Sequence, residues 1–385
     1  MTSLFAPIRR LFTPIKPIPQ GIYQYLSPVE DPRNYRLHLR IEHDGSGVLI
    51  VNASTVLHLN QTAAEYAYYF VQNTSAEDVA RLVSRRYNVD PVLAAQDYRN
   101  LTDRILTLIE VPDLDPVTFL DFDRKTPYAG RILAPYRLDC ALTYRLPEGA
   151  APEAAPTKRV ERELSTDEWI SVLDKAWQAG IPHIVFTGGE PTLRDDLPSL
   201  IAHAEQNGQV SGLLSNGMRL ADEGYLYALL QTGLDHLMIV LDPEKDGSWQ
   251  ALAKVLAADL FTAVHLTLTA QNSAELPRYV KKLAEMGTPA ISLTTQDPSL
   301  GERLQALRDQ AAGLQMSLVW DLPVPYSSQN PIAMELAEEK PDGAGRAWLY
   351  VEPDGDVLPA QGVNQIMGNM VKDPFEKIWK HYPTA

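Results

Sequence analysis

Phe186-Thr-Gly-Gly-Glu-Pro-Thr-Leu-Arg194 decides how the larger part of this chain is read. The apolar run Ile184-Val-Phe186 reads as a strand, the glycines at 188 and 189 break it, and a helix is expected from about Asp195. Strand, tight loop and helix form one βα unit, and the chain on both sides repeats it. Strands are expected near 138–144, 183–188, 210–215, 236–242, 261–269, 290–295 and 317–321, with helices near 167–179, 195–207, 222–232, 248–258, 275–286 and 300–314. Gly180, Gly208, Gly233 and Gly287 fall where C′ glycines end helices. Such alternation implies parallel strands with right-handed crossovers. The fold class is therefore α/β, a partial (β/α)6 barrel over 137–323, with any site at the C-terminal ends of its strands.

The flanking regions have other rhythms. Residues 1–34 form an arm whose first twenty residues hold Arg9, Arg10 and Lys16, no acid and four prolines, so no single long helix runs through it. It either grips a neighbour or packs along its own body. Residues 35–111 read as three strands, 35–42, 47–52 and 56–59, and three helices opened by Asn60, Ser75 and Asp90, a winged-helix-like module. Prolines 112, 116, 127 and 135 mark 112–136 as a linker. In 324–385 the βα rhythm stops: 348–351 and 357–358 flank the turn Pro353-Asp-Gly-Asp356 as a hairpin, and a helix is expected near 374–381.

Composition narrows the chemistry. With 385 residues, 45% hydrophobic and 22% charged, the chain fits two or three folded domains. A net charge of −15 disfavours nucleic acid, whose phosphates require dense Lys and Arg. No apolar run approaches a membrane span and no signal peptide is evident, so a cytoplasmic address is expected. One cysteine, Cys140, excludes an internal disulfide and an ordinary iron–sulfur site; inside an apolar strand it reads as a small buried hydrophobe. The eight histidines are scattered, with no zinc spacing, so no metal site is expected.

The Gly188-Gly189-Glu190-Pro191 turn after a strand resembles the radical S-adenosylmethionine (SAM) enzymes, as do Leu214-Ser215-Asn216-Gly217, Val240-Leu241-Asp242 and Leu268-Thr269-Ala270-Gln271-Asn272, in order along the chain. The resemblance implies a SAM site at Gly188, Gly189, Glu190, Pro191, Ser215, Asn216 and Asp242. It also implies a Cys-x3-Cys-x2-Cys loop after the first strand. Here those slots hold Leu146, Ala150 and Glu153, and Val240 stands where members commonly carry Ser. The substituting Pro/Ala-rich stretch 147–156 is read as a flexible cover over the barrel mouth or a disordered insertion.

Leu57-His-Leu-Asn60-Gln-Thr62-Ala-Ala64, Ser75-Ala-Glu-Asp-Val-Ala80 and Arg86-Tyr87-Asn-Val-Asp90 resemble the PqqD-like family, the recognition elements that bind leader peptides of ribosomally made, modified peptides. That resemblance implies a peptide strand added beside Val56, Leu57, His58 and Leu59, in a groove lined by Leu93, Asp97, Leu101 and Arg104. Residues 350–360, with Met367-Gly368-Asn369-Met370 and 375–379, are similar to the SPASM or twitch extensions of peptide-modifying radical SAM enzymes, with Ala360 in a cysteine slot. Reductive SAM cleavage needs a cluster held by thiolates. The expected function is therefore a cluster-free scaffold that binds a precursor peptide and presents it to a cysteine-bearing radical SAM enzyme, or regulates that enzyme. Two alternatives stay open: an enzyme that still binds SAM or a nucleotide and uses Glu190, Asn216 and Asp242 without radicals, or an assembling structural protein.

Overall fold

The computed structural model describes residues 18–28, 30–42, 44–52, 55–111, 132–258, 260–320, 322–334 and 341–379. The arm over 1–17, most of the 112–136 linker and the end of the C-terminal helix lie outside them. The chain divides into two compact units, 1–133 and 134–385. Among the described residues no helix is long and apolar enough to cross a membrane.

The first unit is an antiparallel meander, β1 (Gly21–Leu26), β2 (Arg36–Ile41), β3 (Gly47–Val51) and β4 (Thr55–Leu59), followed by α1 (Gln61–Val71), α2 (Ala76–Tyr87) and α3 (Pro91–Glu110). The caps are those the sequence announces: Asn60, Ser75 and Asp90 side chains accept from the first-turn amides of the three helices. Alternation sends Leu37, Leu39 and Ile41 of β2, with Leu49, Val51, Leu57 and Leu59, into a core closed by Ala64, Ala67, Val71 and Ile105. Strand β1 was not expected. It lies within the stretch read as an arm, yet pairs along β2 from Gly21↔Ile41 to Leu26↔Arg36. Tyr23 meets Tyr68 of α1 edge-on at 4.8 Å, a contact no local pattern announces.

The second unit is built on one ten-stranded sheet. Seven parallel strands, β5 (Arg137–Thr143), β6 (His183–Gly188), β7 (Val210–Ser215), β8 (His236–Val240), β9 (Phe261–Thr267), β10 (Ala290–Thr294) and β11 (Ser317–Leu318), lie in chain order. Between them run α4 (Thr166–Ala179), α5 (Leu197–Asn207), α6 (Glu223–Leu230), α7 (Asp246–Leu256), α8 (Leu276–Glu285) and α9 (Gly301–Gly313). This is the expected partial barrel. Gly180 and Gly208 end α4 and α5 in the left-handed conformation, where a Cβ would be strained. One sheet face, with Leu138, Cys140, Leu142, Ile184 and Phe186, packs on helix residues such as Trp169 and Leu173. The other carries Val185, Leu214, Met238, Ala263 and Ala290 as a separate apolar cluster.

The C-terminal hairpin, β12 (Trp348–Val351) and β13 (Asp356–Leu358), does form, with β14 (Gly368–Asn369) beside it and α10 (Phe375–Trp379) after it. It is not a separate sheet. β12 lies parallel to β5, Trp348 opposite Arg137 and Val351 opposite Cys140, so the extension continues the barrel sheet past its first strand. At the other ends of the strands the rings of His183 and His236 meet across β7, Nε2 to Nε2 at 2.7 Å. A side chain at Gly212 would collide with the His236 ring.

Candidate functional site

The turn after β6 is held mainly by its own chain. A Cβ on Gly188 would collide with the Thr143 carbonyl, and one on Gly189 with that of Arg145. Both glycines are thus required where the turn presses on the continuation of β5. The Gly189 amide donates to Thr143 O at 2.8 Å and the Glu190 amide to Arg145 O at 2.9 Å.

Glu190 is buried and its carboxylate takes four donors. Oε1 accepts from the Thr192 amide at 3.0 Å, the Thr192 hydroxyl at 2.6 Å and the Ser215 hydroxyl at 2.8 Å; Oε2 accepts from the Asn216 amide at 2.8 Å. Burial raises this carboxyl above its ordinary range, and the four hydrogen bonds pull the other way. Gly188, Gly189, Glu190, Pro191, Ser215 and Asn216 are therefore brought together. Asp242 takes no part in this set: it follows β8 and pairs with Lys245 at 2.9 Å.

Three further residues complete the brace. Thr192 is the closest partner of Glu190. Arg194 is buried and donates to Leu142 O at 3.3 Å and Leu164 O at 2.9 Å while pairing with Asp196 at 2.6 Å. Arg219 donates to the Thr192 carbonyl, pairs with Asp195 at 2.8 Å and stacks over Tyr225 at 4.2 Å. Thr192 and Arg194 stand inside the phrase quoted above, and their polar side chains beside a buried turn were the available signal.

The stretch that replaces the cysteine loop, read above as a flexible cover or a disordered insertion, is buried at its end, 154–156, while Glu148, Gly149, Ala151 and Glu153 are exposed. Its short 3-10 turn, Pro152–Ala154, leads into Ala155, which is buried with Ala141, Tyr144, Tyr326, Tyr350 and Leu358. Leu146 packs on the same cluster, Ala150 is half-buried, Glu153 is exposed and Ala360 is buried. Tyr326 meets Tyr144 edge-on at 5.5 Å, and its amide donates to the Gly188 carbonyl at 2.8 Å. Buried Glu352 accepts from the Tyr144 hydroxyl at 2.9 Å and faces Arg159 at 3.5 Å; burial pushes its carboxyl up despite both partners. Cys140 lies on the opposite, helix-packed face of β5, and burial pushes its thiol up.

In the first unit β4 is an outermost strand. Leu57 and Leu59 point into the core, whereas Val56 and His58 are half-buried on the other face. On α3, Leu93 is 55% exposed, Asp97 and Arg104 are exposed, and Leu101 packs partly into the core. Val92, beside Leu93, is 75% exposed.

Residues 140–242 match the profile of the Radical SAM superfamily. The chain belongs to that superfamily, in the family that includes the PqqA peptide cyclases. It is 30% identical over 276 residues to the PqqA peptide cyclase of Streptomyces rochei, covering 64% of this chain and 76% of that protein. The PqqA peptide cyclase of Granulibacter bethesdensis is 28% identical over 268 residues, 61% of this chain and 70% of that one. Among solved structures, Streptococcus suis SuiB bound to the precursor peptide SuiA matches with a TM-score of 0.61 at 14% identity, covering 92% of this chain and 88% of SuiB. SuiB bound to S-adenosylmethionine matches at 0.59 and 13% with the same coverage. These likenesses show a shared fold.

Proposed function

We propose that this protein is a cluster-free member of its family that binds a precursor peptide in the cytoplasm and presents it to a cysteine-bearing radical SAM enzyme. The observation that carries the proposal is the state of the cysteine slots. Leu146, Ala150, Glu153 and Ala360 supply no thiolate, and the loop that would hold the cluster packs Ala155 and Leu146 against the cluster of Tyr144, Tyr326 and Tyr350. These side chains do not fit an iron–sulfur cluster, whose irons need several Cys ligands.

The peptide surface is the PqqD-like face of the first unit. An extended leader would add beside β4, with each backbone hydrogen bond contributing about 0.5–1.5 kcal/mol net. The exposed Leu93 would offer an apolar contact, and Asp97 and Arg104 charges of both signs. Relatives named PqqA peptide cyclases and a structural neighbour bound to its precursor peptide support a peptide as ligand.

A second reading keeps SAM or a nucleotide at Gly188–Pro191, with Asn216 and Asp242 as polar neighbours and no radical chemistry. The preserved Glu190 hydrogen-bond set favours it. Anaerobic reconstitution with iron and sulfide tests the first reading: no visible-band chromophore is expected, and a stoichiometric cluster would refute it. Calorimetry with SAM separates the readings, since tight binding supports the second.

A further inference from the structure

The sheet of the first unit ends on β1, and among the described residues no strand pairs beyond it. An open edge can accept another strand, and natural sheets blunt it with very short strands, charges, proline or bulges. The ten-stranded sheet does so, since its outermost strands, β11 and β14, hold two residues each. β1 uses none of these devices. It pairs with β2 over six residues without a register shift, and its sequence, Gly-Ile-Tyr-Gln-Tyr-Leu, carries no charge and no proline.

The outward backbone groups of β1 can be assigned. The Ser27 amide donates to the Tyr35 carbonyl at 2.9 Å, in the same register that sets Gly21 opposite Ile41. Bonded and non-bonded pairs alternate along an antiparallel ladder. Gly21, Tyr23 and Tyr25 therefore turn their amides and carbonyls to β2, and Ile22, Gln24 and Leu26 turn theirs away from it. No described residue bonds to those outward groups. The strand is half-buried, with Leu26 51% exposed at its end.

This edge is complementary to itself. Laid antiparallel about a two-fold axis at Gln24, β1 of one copy sets Ile22 opposite Leu26 of the second copy, Gln24 opposite its own counterpart and Tyr23 opposite Tyr25. Apolar side chains then face apolar ones, an amide that donates and accepts faces another, ring faces ring, and no like charges meet. Every outward amide finds an outward carbonyl. We propose that the β1 edge is a dimer interface at which two copies of this chain join their four-stranded sheets, β1 to β1, into one continuous sheet. An isologous contact of this kind uses up both β1 edges, so assembly closes at two copies. β4 stays outermost in each copy, at the opposite edge, so this interface and the peptide surface do not rest on each other and either can fail alone.

Sedimentation of the full chain over the micromolar range tests the proposal. A concentration-dependent species of twice the 42.8 kDa chain mass is expected. Gln24→Pro removes an outward amide and leaves the bonds to β2, as proline on an edge strand allows; it is expected to raise the dissociation constant about tenfold or more while unfolding stays cooperative. Cross-linking reads the register independently. The one cysteine of the chain, Cys140, is buried, so under mild oxidation Gln24→Cys is expected to form a covalent dimer, directly opposed residues lying within disulfide reach. Ile22→Cys, which faces Leu26, is expected to form none. A monomer at every concentration, a dimer indifferent to Gln24→Pro, or equal cross-linking of Ile22→Cys and Gln24→Cys would overturn the proposal. Dissociation of the dimer by a PqqA-type precursor peptide would overturn it too, by assigning the edge to the peptide.

Discussion

Replacing Glu190 by Gln separates a brace from a ligand holder. Gln keeps the shape and can still accept from Thr192 and Ser215 through its carbonyl oxygen. Its amide nitrogen then faces the Asn216 amide, which now donates to Oε2 at 2.8 Å, and two donors oppose each other inside a buried turn. Flipping the amide rescues that contact and sets the same conflict against the Thr192 amide, 3.0 Å from Oε1. Losing one hydrogen bond to a charged acceptor and stranding one buried donor costs about 2–3 kcal/mol. Glu190→Ala strands every donor and is expected to cost about 3–5 kcal/mol, as when one partner of a buried charged network is removed. All six tryptophans, at 169, 177, 249, 320, 348 and 379, lie in the barrel unit, so urea unfolding followed by tryptophan fluorescence reports on the right part of the molecule. If Glu190→Gln unfolds within about 0.5 kcal/mol of the parent, the carboxylate is not a brace and the SAM-binding reading gains.

Other consequences are as direct. Gly189→Ala should lower stability by more than about 2 kcal/mol, since its Cβ meets backbone that cannot move aside; denaturant midpoints check this, and an unchanged midpoint would mean the turn is looser than it stands. Burial holds His265 down to about 4 from an ordinary 6.5 and also depresses His183 and His236. Between those values the unfolded chain binds more protons than the folded one, so these histidines make stability fall as pH drops from about 6.5 towards 4, by up to about 3 kcal/mol for His265. His265→Gln should flatten its share of that slope in unfolding measured across pH. In the first unit, Leu93→Asp with Arg104→Glu should weaken binding of a labelled PqqA-type precursor peptide at least tenfold by fluorescence anisotropy while leaving the thermal midpoint within a few degrees. Equal affinity would move the peptide site elsewhere.

The sequence alone determined the elements whose cause is local. Caps at Asn60, Ser75 and Asp90, glycines after helices and the period change between strands and helices act within a few residues, so the barrel's alternation and the three-helix set could be read directly. The chemistry of the missing thiolates was equally legible, because it depends on residue identity at counted positions. Tertiary structure decided whatever depends on residues far apart in the chain. Strand β1 became a strand through pairing with β2 and the Tyr23–Tyr68 contact. β12 joined β5 across some two hundred residues. Tyr144, Tyr326 and Tyr350 became one cluster only because strands and loops far apart in the chain are brought side by side. The glycines at 188 and 189 changed meaning for the same reason. Their spacing announced a tight turn, but what they make room for, the carbonyls of Thr143 and Arg145, lies at the end of β5 and just beyond it, more than forty residues earlier.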